Sequence, residues 1–492
     1  EHGVYRRTAR LLDLVGNVRG TGPEGEFRSD ELNWDRLAGR LILRGEPRLI
    51  EPERLLWAQR VEYNTVDQTG VALGEVRILL LPDSTWAYGD RTRYDRRAST
   101  SVLTGEPYLI SPGRPGEPDL RVDADTLRLQ EADETGIALG NVRIERGPLR
   151  ARSQRAWFRL REDRILLAGD PVTWDASGEI RADSMEVRLS GGEAEQLRAW
   201  GNVRVRYEPS SEPGERNLVF GDTLIAGFRE GAVTSLDVQG DAVSLYLPSV
   251  RDAREGTGRN LSRGRLIRVH IARGEARRVD LIGAASGSYR YPSASQQRRL
   301  SEPAFLDSVL PLWTQSGFGR PGSDEPPAEP PPLPPALASM IERRELLPAD
   351  SLLSPYDQLF DERVDYEGDS IRFHVPEDRI RVLGSGVVKY RQSELQSREI
   401  VFDAKTNLIT ALGAPELSDQ ESTVTGRKMT YRTDEREGIV YRGRTEFDGG
   451  YYHGREVKKL ETEALLVRQG DYTTCEADTA PHYHFHADRM KL

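Results

Sequence analysis

The sequence predicts an all-β fold, a long stacked β-structure in two stacks. Three observations predict it: a short strand pattern that recurs from one end of the chain to the other, a glycine-centred pattern that alternates with it, and a composition poor in hydrophobic residues. The predicted boundaries are 1–292 for the first stack, 293–355 for a Pro-rich linker or excursion, and 356–492 for the second stack.

The first pattern is a small residue and an Asp followed by apolar residues at alternate positions. Its copies begin at Ser29, Ala124, Ala182, Gly221, Gly368 and Ala487. Because side chains alternate between the two faces of a strand, each copy predicts one strand with one apolar face. A half-buried strand repeated in this way is typical of a stacked β-structure rather than of a single compact core.

The second pattern has two forms, Gly-x-Val-Arg and Gly-x-Pro. The first form begins at Gly16, Gly74, Gly140 and Gly201, and the second begins at Gly45, Gly105, Gly169 and Gly413. Over the first 201 residues the two forms alternate at spacings of 29 to 35 residues, which fits a few short strands per unit. Glycine supplies a positive φ at a bend and proline removes one ladder donor, so both forms predict turns.

Composition limits the function classes. Of 492 residues, 37% are hydrophobic and 30% are charged, which favours thin layers over a large globular core. The net charge of −10 comes from both signs spread along the repeats, which argues against a dedicated nucleic-acid surface. No apolar run is as long as a membrane-spanning helix.

The segment from 293 to 355 interrupts the repeats. Between Gly319 and Pro335 the sequence is dominated by proline, which favours extended backbone over a packed sheet. The repeats resume near Val364 and continue to Leu492. The segment is therefore interpreted as a linker or a surface excursion between the two stacks.

The C-terminal residues are the most specific part of the chain. They include Gly443 to Gly454, the run Tyr472-Thr473-Thr474-Cys475, and Pro481-His482-Tyr483. Together with the small-Asp strands and the Gly-Asn-Val repeats, they closely resemble the periplasmic OstA-like region of the lipopolysaccharide-assembly outer-membrane proteins, the LptD type. The resemblance covers nearly the whole chain outside the linker.

This resemblance implies an elongated, open β-jellyroll of stacked antiparallel strands with an apolar groove between its two sheets. It implies transport of lipopolysaccharide into the outer membrane, with the lipid A acyl chains inside the groove. The implied partners are a periplasmic bridge protein of the same fold, joined by edge-strand addition, and an outer-membrane barrel with its plug lipoprotein. The implied location is the periplasm, attached to the outer membrane, with the segment 356–492 leading to the barrel. A free-standing periplasmic bridge protein of the same family is the alternative.

Matching the repeat copies to one another gives the candidate groove lining. The candidates are Leu32, Trp34, Val61, Tyr63, Leu127, Leu129, Ala156, Phe158, Met185, Val187, Leu224, Phe228, Ile267, Val269, Ile371, Phe373, Ile400, Phe402, Met429 and Tyr431. Plain packing between two sheets explains each of them about as well. One copy departs from the pattern, because Thr92 occupies an apolar position, and the groove is expected to be narrower or wetter there.

The sequence predicts no enzyme, no cofactor and no nucleic-acid partner. It contains no Gly-x-Ser-x-Gly elbow, no phosphate-binding Gly-x-x-x-x-Gly-Lys loop and no His-Glu-x-x-His helix. His482, His484 and His486 share one strand face, but a solvated face explains them better than a metal site. Cys475 is the only cysteine. In the family that the chain resembles, a Cys of this segment can pair with one in the barrel; here it is either a lone thiol or half of such a bridge.

Overall fold

The structure is a computed structural model of the chain. It describes residues 2–6, 10–22, 25–113, 115–130, 135–159, 162–175, 178–190, 193–207, 216–302, 359–419, 423–435, 437–447, 449–459, 465–475 and 481–491. The chain divides into two compact units. Unit 1 comprises Glu1–Val203 and Phe228–Gly231, and unit 2 comprises Arg204–Gly227 and Ala232–Leu492.

The first 21 strands run through unit 1 and into the start of unit 2. They are β1 His2–Arg6, β2 Leu11–Gly22, β3 Gly25–Asp35, β4 Arg40–Arg44, β5 Arg48–Ile50, β6 Arg54–Trp57, β7 Arg60–Asn64, β8 Thr69–Leu80, β9 Thr85–Asp95, β10 Thr100–Thr104, β11 Tyr108–Ser111, β12 Leu120–Asp123, β13 Thr126–Gln130, β14 Thr135–Arg146, β15 Leu149–Arg159, β16 Arg164–Ala168, β17 Val172–Trp174, β18 Gly178–Arg181, β19 Ser184–Ser190, β20 Glu193–Tyr207 and β21 Arg216–Arg229.

The remaining elements belong to unit 2. They are β22 Ala232–Leu247, α1 Val250–Arg254, β23 Arg259–Ala272, β24 Glu275–Tyr291, α2 Ala294–Leu300, β25 Glu362–His374, a 3-10 turn at Val375–Glu377, β26 Arg379–Tyr390, β27 Ser393–Asp403, β28 Leu408–Leu412, β29 Glu416–Ser418, β30 Thr423–Thr425, β31 Lys428–Arg432, β32 Glu437–Phe447, β33 Gly450–Lys459, β34 Leu465–Thr473 and β35 Phe485–Lys491. The expected all-β class and stacked antiparallel strands are confirmed.

Each long strand contributes to two layers. In unit 1, the C-terminal half of β3 pairs with β4, while its N-terminal half pairs with β5. Strand β9 is divided in the same way between β10 and β11. In each unit, layer 1 is the ladder that contains the small-Asp strands, and layer 2 is the other ladder. Layer 2 contains β5, β6, β11 and β12 in unit 1, and in unit 2 it contains the N-terminal half of β23 paired with the C-terminal parts of β22 and β24. These pairings are antiparallel, so successive strands join through short turns.

The bend between the layers explains the Gly-Asn-Val motif. In β14, Gly140 and Asn141 have φ values of 73° and 47°, and the register with β15 shifts between Leu139 and Val142. Two successive left-handed residues turn the strand from one layer into the other. The positive φ predicted for these glycines is confirmed.

The small-Asp motif lies against this same bend. The backbone N–H of Asp125 donates to the carbonyl of Gly140 at 2.9 Å, and Asn141 Nδ2 donates to the Asp125 carboxylate at 3.0 Å. A Cβ atom at Gly140 would collide with that carboxylate. Asp183, Gly201 and Asn202 form the same contacts one repeat later. The small-Asp pattern and the Gly-Asn-Val pattern therefore contact each other at the same bend between the layers.

The Gly-x-Pro form interrupts the strand at its bend. Gly105 and Glu106 also have positive φ, at 79° and 49°, but β10 ends before them and β11 begins after Pro107. The carbonyl of Pro107 accepts a hydrogen bond from the N–H of Ala124, the small residue of the next small-Asp copy. Proline removes a donor from the strand while its carbonyl still joins neighbouring strands.

The compact units divide at a different place from the predicted linker. The division falls between Val203 and Arg204, whereas the Pro-rich segment 293–355 was expected to separate two stacks. Residues 303–358 lie outside the described residues, so this Pro-rich stretch is not described. The strands on either side of it are direct neighbours within unit 2, because Val279 of β24 pairs with Phe373 of β25.

Candidate functional site

The candidate lining residues form two rows on the inner face of layer 1. The inner row holds Leu32, Val61, Leu127, Ala156, Met185, Leu224, Ile267, Ile371, Ile400 and Met429. The outer row holds Trp34, Tyr63, Leu129, Phe158, Val187, Phe228, Val269, Phe373, Phe402 and Tyr431. Strand register places one further apolar residue between neighbouring members, because Leu43 pairs with both Leu32 and Val61, and Ala411 pairs with both Ile400 and Met429.

The two rows differ in exposure. Every inner-row side chain is at most 5% exposed, and Met185 and Ile267 are fully buried. In the outer row, Trp34, Tyr63, Phe228, Phe373, Phe402 and Tyr431 are half-buried, while the other four are buried. The inner row is thus packed core, and the accessible apolar surface between the layers is mainly aromatic.

A small apolar cavity lies between the layers of unit 1. Its volume is about 70 Å³. Leu127, Leu129 and Phe158 line it from layer 1, and Leu109 and Val122 line it from layer 2. Both layers therefore leave space between their apolar inner faces at this point.

One buried arginine joins the two layers beside this cavity. Arg54 of β6 is only 4% exposed, and its guanidinium lies 3.6 Å from the ring centroid of Tyr94 in layer 1. It also donates to Ser101 Oγ at 3.2 Å and pairs with Glu51 at 2.8 Å. A charge this deeply buried must be paired and hydrogen-bonded, and these contacts do both. Sequence reasoning missed Arg54, because charged residues are frequent throughout the repeats.

The departing copy of the repeat lies in the same region. Thr92 is 1% exposed at an inner-row position, and its hydroxyl has no hydrogen-bond partner among the described residues. Across the strand pair it faces Leu103. Polar side chains do enter the interior of unit 1 at this repeat, through Thr92, Arg54 and Ser101.

A larger cavity lies between the layers of unit 2. Its volume is about 290 Å³. Phe373 and Phe402 of the outer row line one wall with Val279. The opposite wall belongs to layer 2 and is polar, with contributions from Asn217, Ser244, Tyr246, Asn260 and Ser262. A second space of about 30 Å³ adjoins Tyr366, Val388 and Ile400.

Two tyrosines hold the polar wall of this cavity. The Tyr289 hydroxyl accepts a hydrogen bond from the N–H of Gly258 at 2.8 Å, and the Tyr366 hydroxyl donates to Asn260 Oδ1. Burial raises the pKa of Tyr289 to about 12, and burial also raises the pKa of Tyr366 well above its usual range. Both hydroxyls therefore stay protonated at neutral pH.

An aromatic row on the outer face of layer 2 in unit 1 was not identified from the sequence. Trp57 of β6, Trp86 and Tyr88 of β9, and Tyr108 of β11 stack in succession at centroid distances of 4.5 to 5.9 Å. The Arg121 guanidinium lies 4.5 Å from the Tyr108 centroid. The rings cover one another's faces, so cross-strand packing accounts for the row.

The C-terminal candidates lie near β34 and β35. Cys475 is partly exposed, and its Sγ lies 3.2 Å from His482 Nδ1. His486 Nδ1 lies 2.8 Å from Asp471 Oδ1, and His484 Nε2 lies 3.9 Å from the same oxygen. Among the described residues, no group of three or more His, Cys, Asp or Glu side chains is placed to hold a metal ion. In the described ranges, no helix has the length and apolar character needed to cross a membrane.

No family model matches the sequence, and no curated protein matches it. Among solved structures, the chain is similar to the crystal structure of LptH, the LptA-homologous periplasmic component of the conserved lipopolysaccharide transport device from Pseudomonas aeruginosa. The identity is 13% and the TM-score is 0.22, over 26% of this chain and 80% of that chain. At this TM-score the likeness carries no argument about function.

Proposed function

We propose that this chain is a lipid conduit of the OstA-like kind, which carries lipopolysaccharide across the periplasm for assembly into the outer membrane. The acyl chains of lipid A lie between layers 1 and 2, and the sugar part stays in water. The role needs no catalytic step and no cofactor. The proposal draws on the repeat motifs and the C-terminal segment that resemble the LptD type.

The outer row is the observation that carries the proposal. Half-exposed aromatic side chains on the inner face of a layer, such as Trp34, Tyr63 and Phe402, leave apolar surface open to a ligand between the layers. Each CH₂ group kept from water is worth about 0.8 kcal/mol, so a twelve-carbon chain gains roughly 10 kcal/mol from continuous apolar cover. Because the strands repeat, a chain that moves from one repeat to the next would meet a similar apolar surface at each position.

The strand edges favour partners of the same fold. Among the described residues, β1 pairs only with Leu11 to Val15 of β2, so the second half of β2 has β3 on one side alone. At the other end, β35 pairs with β34. Open edges of this kind accept a strand from another chain. We propose that the β2 edge receives a periplasmic bridge protein and that the β35 end leads toward an outer-membrane barrel with its plug lipoprotein.

Site-specific photo-crosslinking tests the proposal. A photoreactive amino acid at Phe402 should capture lipopolysaccharide, because Phe402 faces the interior of unit 2. The matched control is the adjacent apolar residue Val401, which lies on the opposite face of the same strand. The pair Trp34 and Asn33 repeats the comparison in unit 1. Equal capture on both faces would refute transport between the layers.

The second candidate function is a free-standing periplasmic bridge protein of the same family. The partly paired β2 strand fits this role as well as it fits the first. Crosslinking at Thr21, an exposed residue of β2, and at Arg489 in β35 in whole cells separates the two. A conduit joined to a barrel should give an outer-membrane adduct at Arg489, whereas a bridge should give adducts with periplasmic proteins of its own fold at both sites.

A further inference from the structure

The inner face of layer 2 in unit 2 carries a run of polar side chains. In unit 1 this face is mainly apolar, with Leu56, Ile78 and Ala87 in adjacent strands, and Arg54 and Thr85 are its buried polar members. In unit 2, Ser244 pairs with Ser262 at the same level. Tyr246 pairs with Asn260 one step further along, and these four side chains line the 290 Å³ cavity. A wall of hydroxyl and amide groups inside a β-stack is unusual, because buried polar groups need partners.

The polar wall is held in place by its own contacts. Tyr366 reaches Asn260 by lying across Gly287, where any Cβ would collide with the tyrosine ring and hydroxyl. Asn260 uses its side-chain carbonyl oxygen in this contact, and its side-chain NH₂ group can still donate hydrogen bonds. Ser262 is only 2% exposed beside it. The wall is thus fixed before any ligand arrives.

The opposite wall of the cavity is apolar. Val279, Phe373 and Phe402 provide this wall on layer 1. Thr257 and Gly258, which follow α1, also line the cavity, and α1 is tied to α2 by the bond from Arg254 Nε to the carbonyl of Leu300 at 2.9 Å. A space with one apolar wall and one polar wall has the form of a ligand pocket.

The charged groups around the cavity neutralise one another. Arg277 pairs with Glu275 at 3.0 Å. Arg379 pairs with Glu377 at 2.7 Å and with Asp403 at 3.1 Å. Asp378, which also lines the cavity, lies 3.6 Å from Lys405. The polar wall itself carries only hydroxyl and amide groups, and the high pKa of Tyr289 keeps its hydroxyl neutral. The polar wall therefore offers no uncompensated charge that would bind a cationic or an anionic ligand.

We propose that the 290 Å³ cavity of unit 2 is a binding site for an uncharged, hydroxyl-bearing amphiphile with a single short alkyl chain. The alkyl chain packs between Phe373 and Phe402, and the hydroxyl groups bond to Ser244 and Asn260. The volume lies at the small end of ligand pockets, which run from roughly 300 Å³ upward. The choice of an amphiphile as the ligand rests on the proposed function. Within the conduit, this cavity would be a place where the hydroxyl groups of a ligand are recognised.

Isothermal titration calorimetry of the full chain tests this site with two probes below their critical micelle concentrations. Octyl β-glucoside is uncharged and hydroxylated, whereas octyl sulfate has the same chain with an anionic head. Octyl β-glucoside should bind at one site at least tenfold more tightly than octyl sulfate. Ser244→Leu should lower its affinity at least tenfold and remove this preference.

Ser286→Leu is the matched control, because Ser286 lies in β24, on the opposite face of layer 2 from Ser244. It should leave binding unchanged. Val279→Phe fills the cavity from the apolar wall and should lower the affinity for both probes. This variant still tests the site if Ser244→Leu does not fold. Absence of binding, unchanged binding by both cavity variants, or equal affinity for the two probes would overturn the site. These results do not depend on lipopolysaccharide capture at Trp34 in unit 1, so the two proposals fail separately.

Discussion

At the residue scale, the bend glycines combine two constraints. Gly201 has a φ of 76°, and a Cβ there would also collide with the Asp183 carboxylate. Gly231 has a φ of 73° with open space around its Cβ position. Gly22 has neither constraint. All three lie in unit 1, so they form a series that separates backbone strain from collision.

Alanine at these positions should therefore destabilise unit 1 in order. Gly22→Ala should change the free energy of unfolding by less than about 0.5 kcal/mol, and Gly231→Ala should cost about 1 kcal/mol from the left-handed backbone. Gly201→Ala should cost more than about 2 kcal/mol because the carboxylate must also move. Urea denaturation measures the series. Equal costs at Gly201 and Gly231 would show that the contact with Asp183 contributes nothing.

Thr92 provides a second test at this scale. Its hydroxyl is buried without a partner among the described residues, so Thr92→Val should stabilise the protein by about 1 kcal/mol. Thr100 is also buried in unit 1, but its hydroxyl contacts Gln130 at 2.7 Å. Thr100→Val should destabilise by about 1 kcal/mol. Thermal melting measures the direction of the stability change in both variants. A loss of stability in Thr92→Val would indicate that the Thr92 hydroxyl has a hydrogen-bond partner.

At the element scale, Arg54 is expected to hold β6 of layer 2 against β9 and β10 of layer 1. Arg54→Ala removes a buried guanidinium and leaves Glu51 and Ser101 without it, so it should cost about 3 kcal/mol. The Arg40 and Glu62 pair lies at the surface, where Arg40→Ala should cost less than about 1 kcal/mol. Denaturant midpoints compare the two variants. Similar small losses would mean that Arg54 does not join the layers.

The tyrosines of β24 to β26 give unit 2 a pH dependence. Burial raises the pKa of Tyr289 to about 12 and also raises the pKa values of Tyr291, Tyr366 and Tyr390 above 10. A raised pKa in the folded state means that the stabilisation is complete below pH 10 and is lost as the pH rises above it. Each such group contributes a slope of up to about 1.4 kcal/mol per pH unit.

The free energy of unfolding of unit 2 should therefore fall between pH 10 and 12. Circular dichroism and tyrosinate absorbance measure this change. Tyr289→Phe should reduce this slope, although it also removes the acceptor for the N–H of Gly258. Tyr5 is exposed in β1, so Tyr5→Phe serves as the control and should leave the slope unchanged. A slope that is the same in wild type and in Tyr289→Phe would contradict the role of this hydroxyl.

At the scale of the whole molecule, β24 and β25 pair along most of their length although the Pro-rich segment separates them in sequence. Replacing residues 304–356 by an eight-residue Gly-Ser linker should therefore keep unit 2 folded. Loop closure becomes easier with a shorter loop, by about 1 to 2 kcal/mol. Calorimetry should show unit 2 unfolding at the same temperature or slightly higher. A cooperative loss of unit 2 would show that the removed residues stabilise these strands.

The sequence by itself determined the strands, their alternation and their bends. Side chains at every second position, as in Leu127 and Leu129, fix one face of a strand, and glycine and proline fix where it turns, so local chemistry was sufficient. Only the tertiary structure decided which apolar residues are accessible, because Phe158 and Phe402 both belong to the outer row, yet Phe158 is buried and Phe402 is half-buried. It also brought Arg54 to Tyr94, and Ser244 to the level of Phe373 within one cavity. Such neighbours come from strands far apart in sequence, and no local pattern specifies which layer will face which.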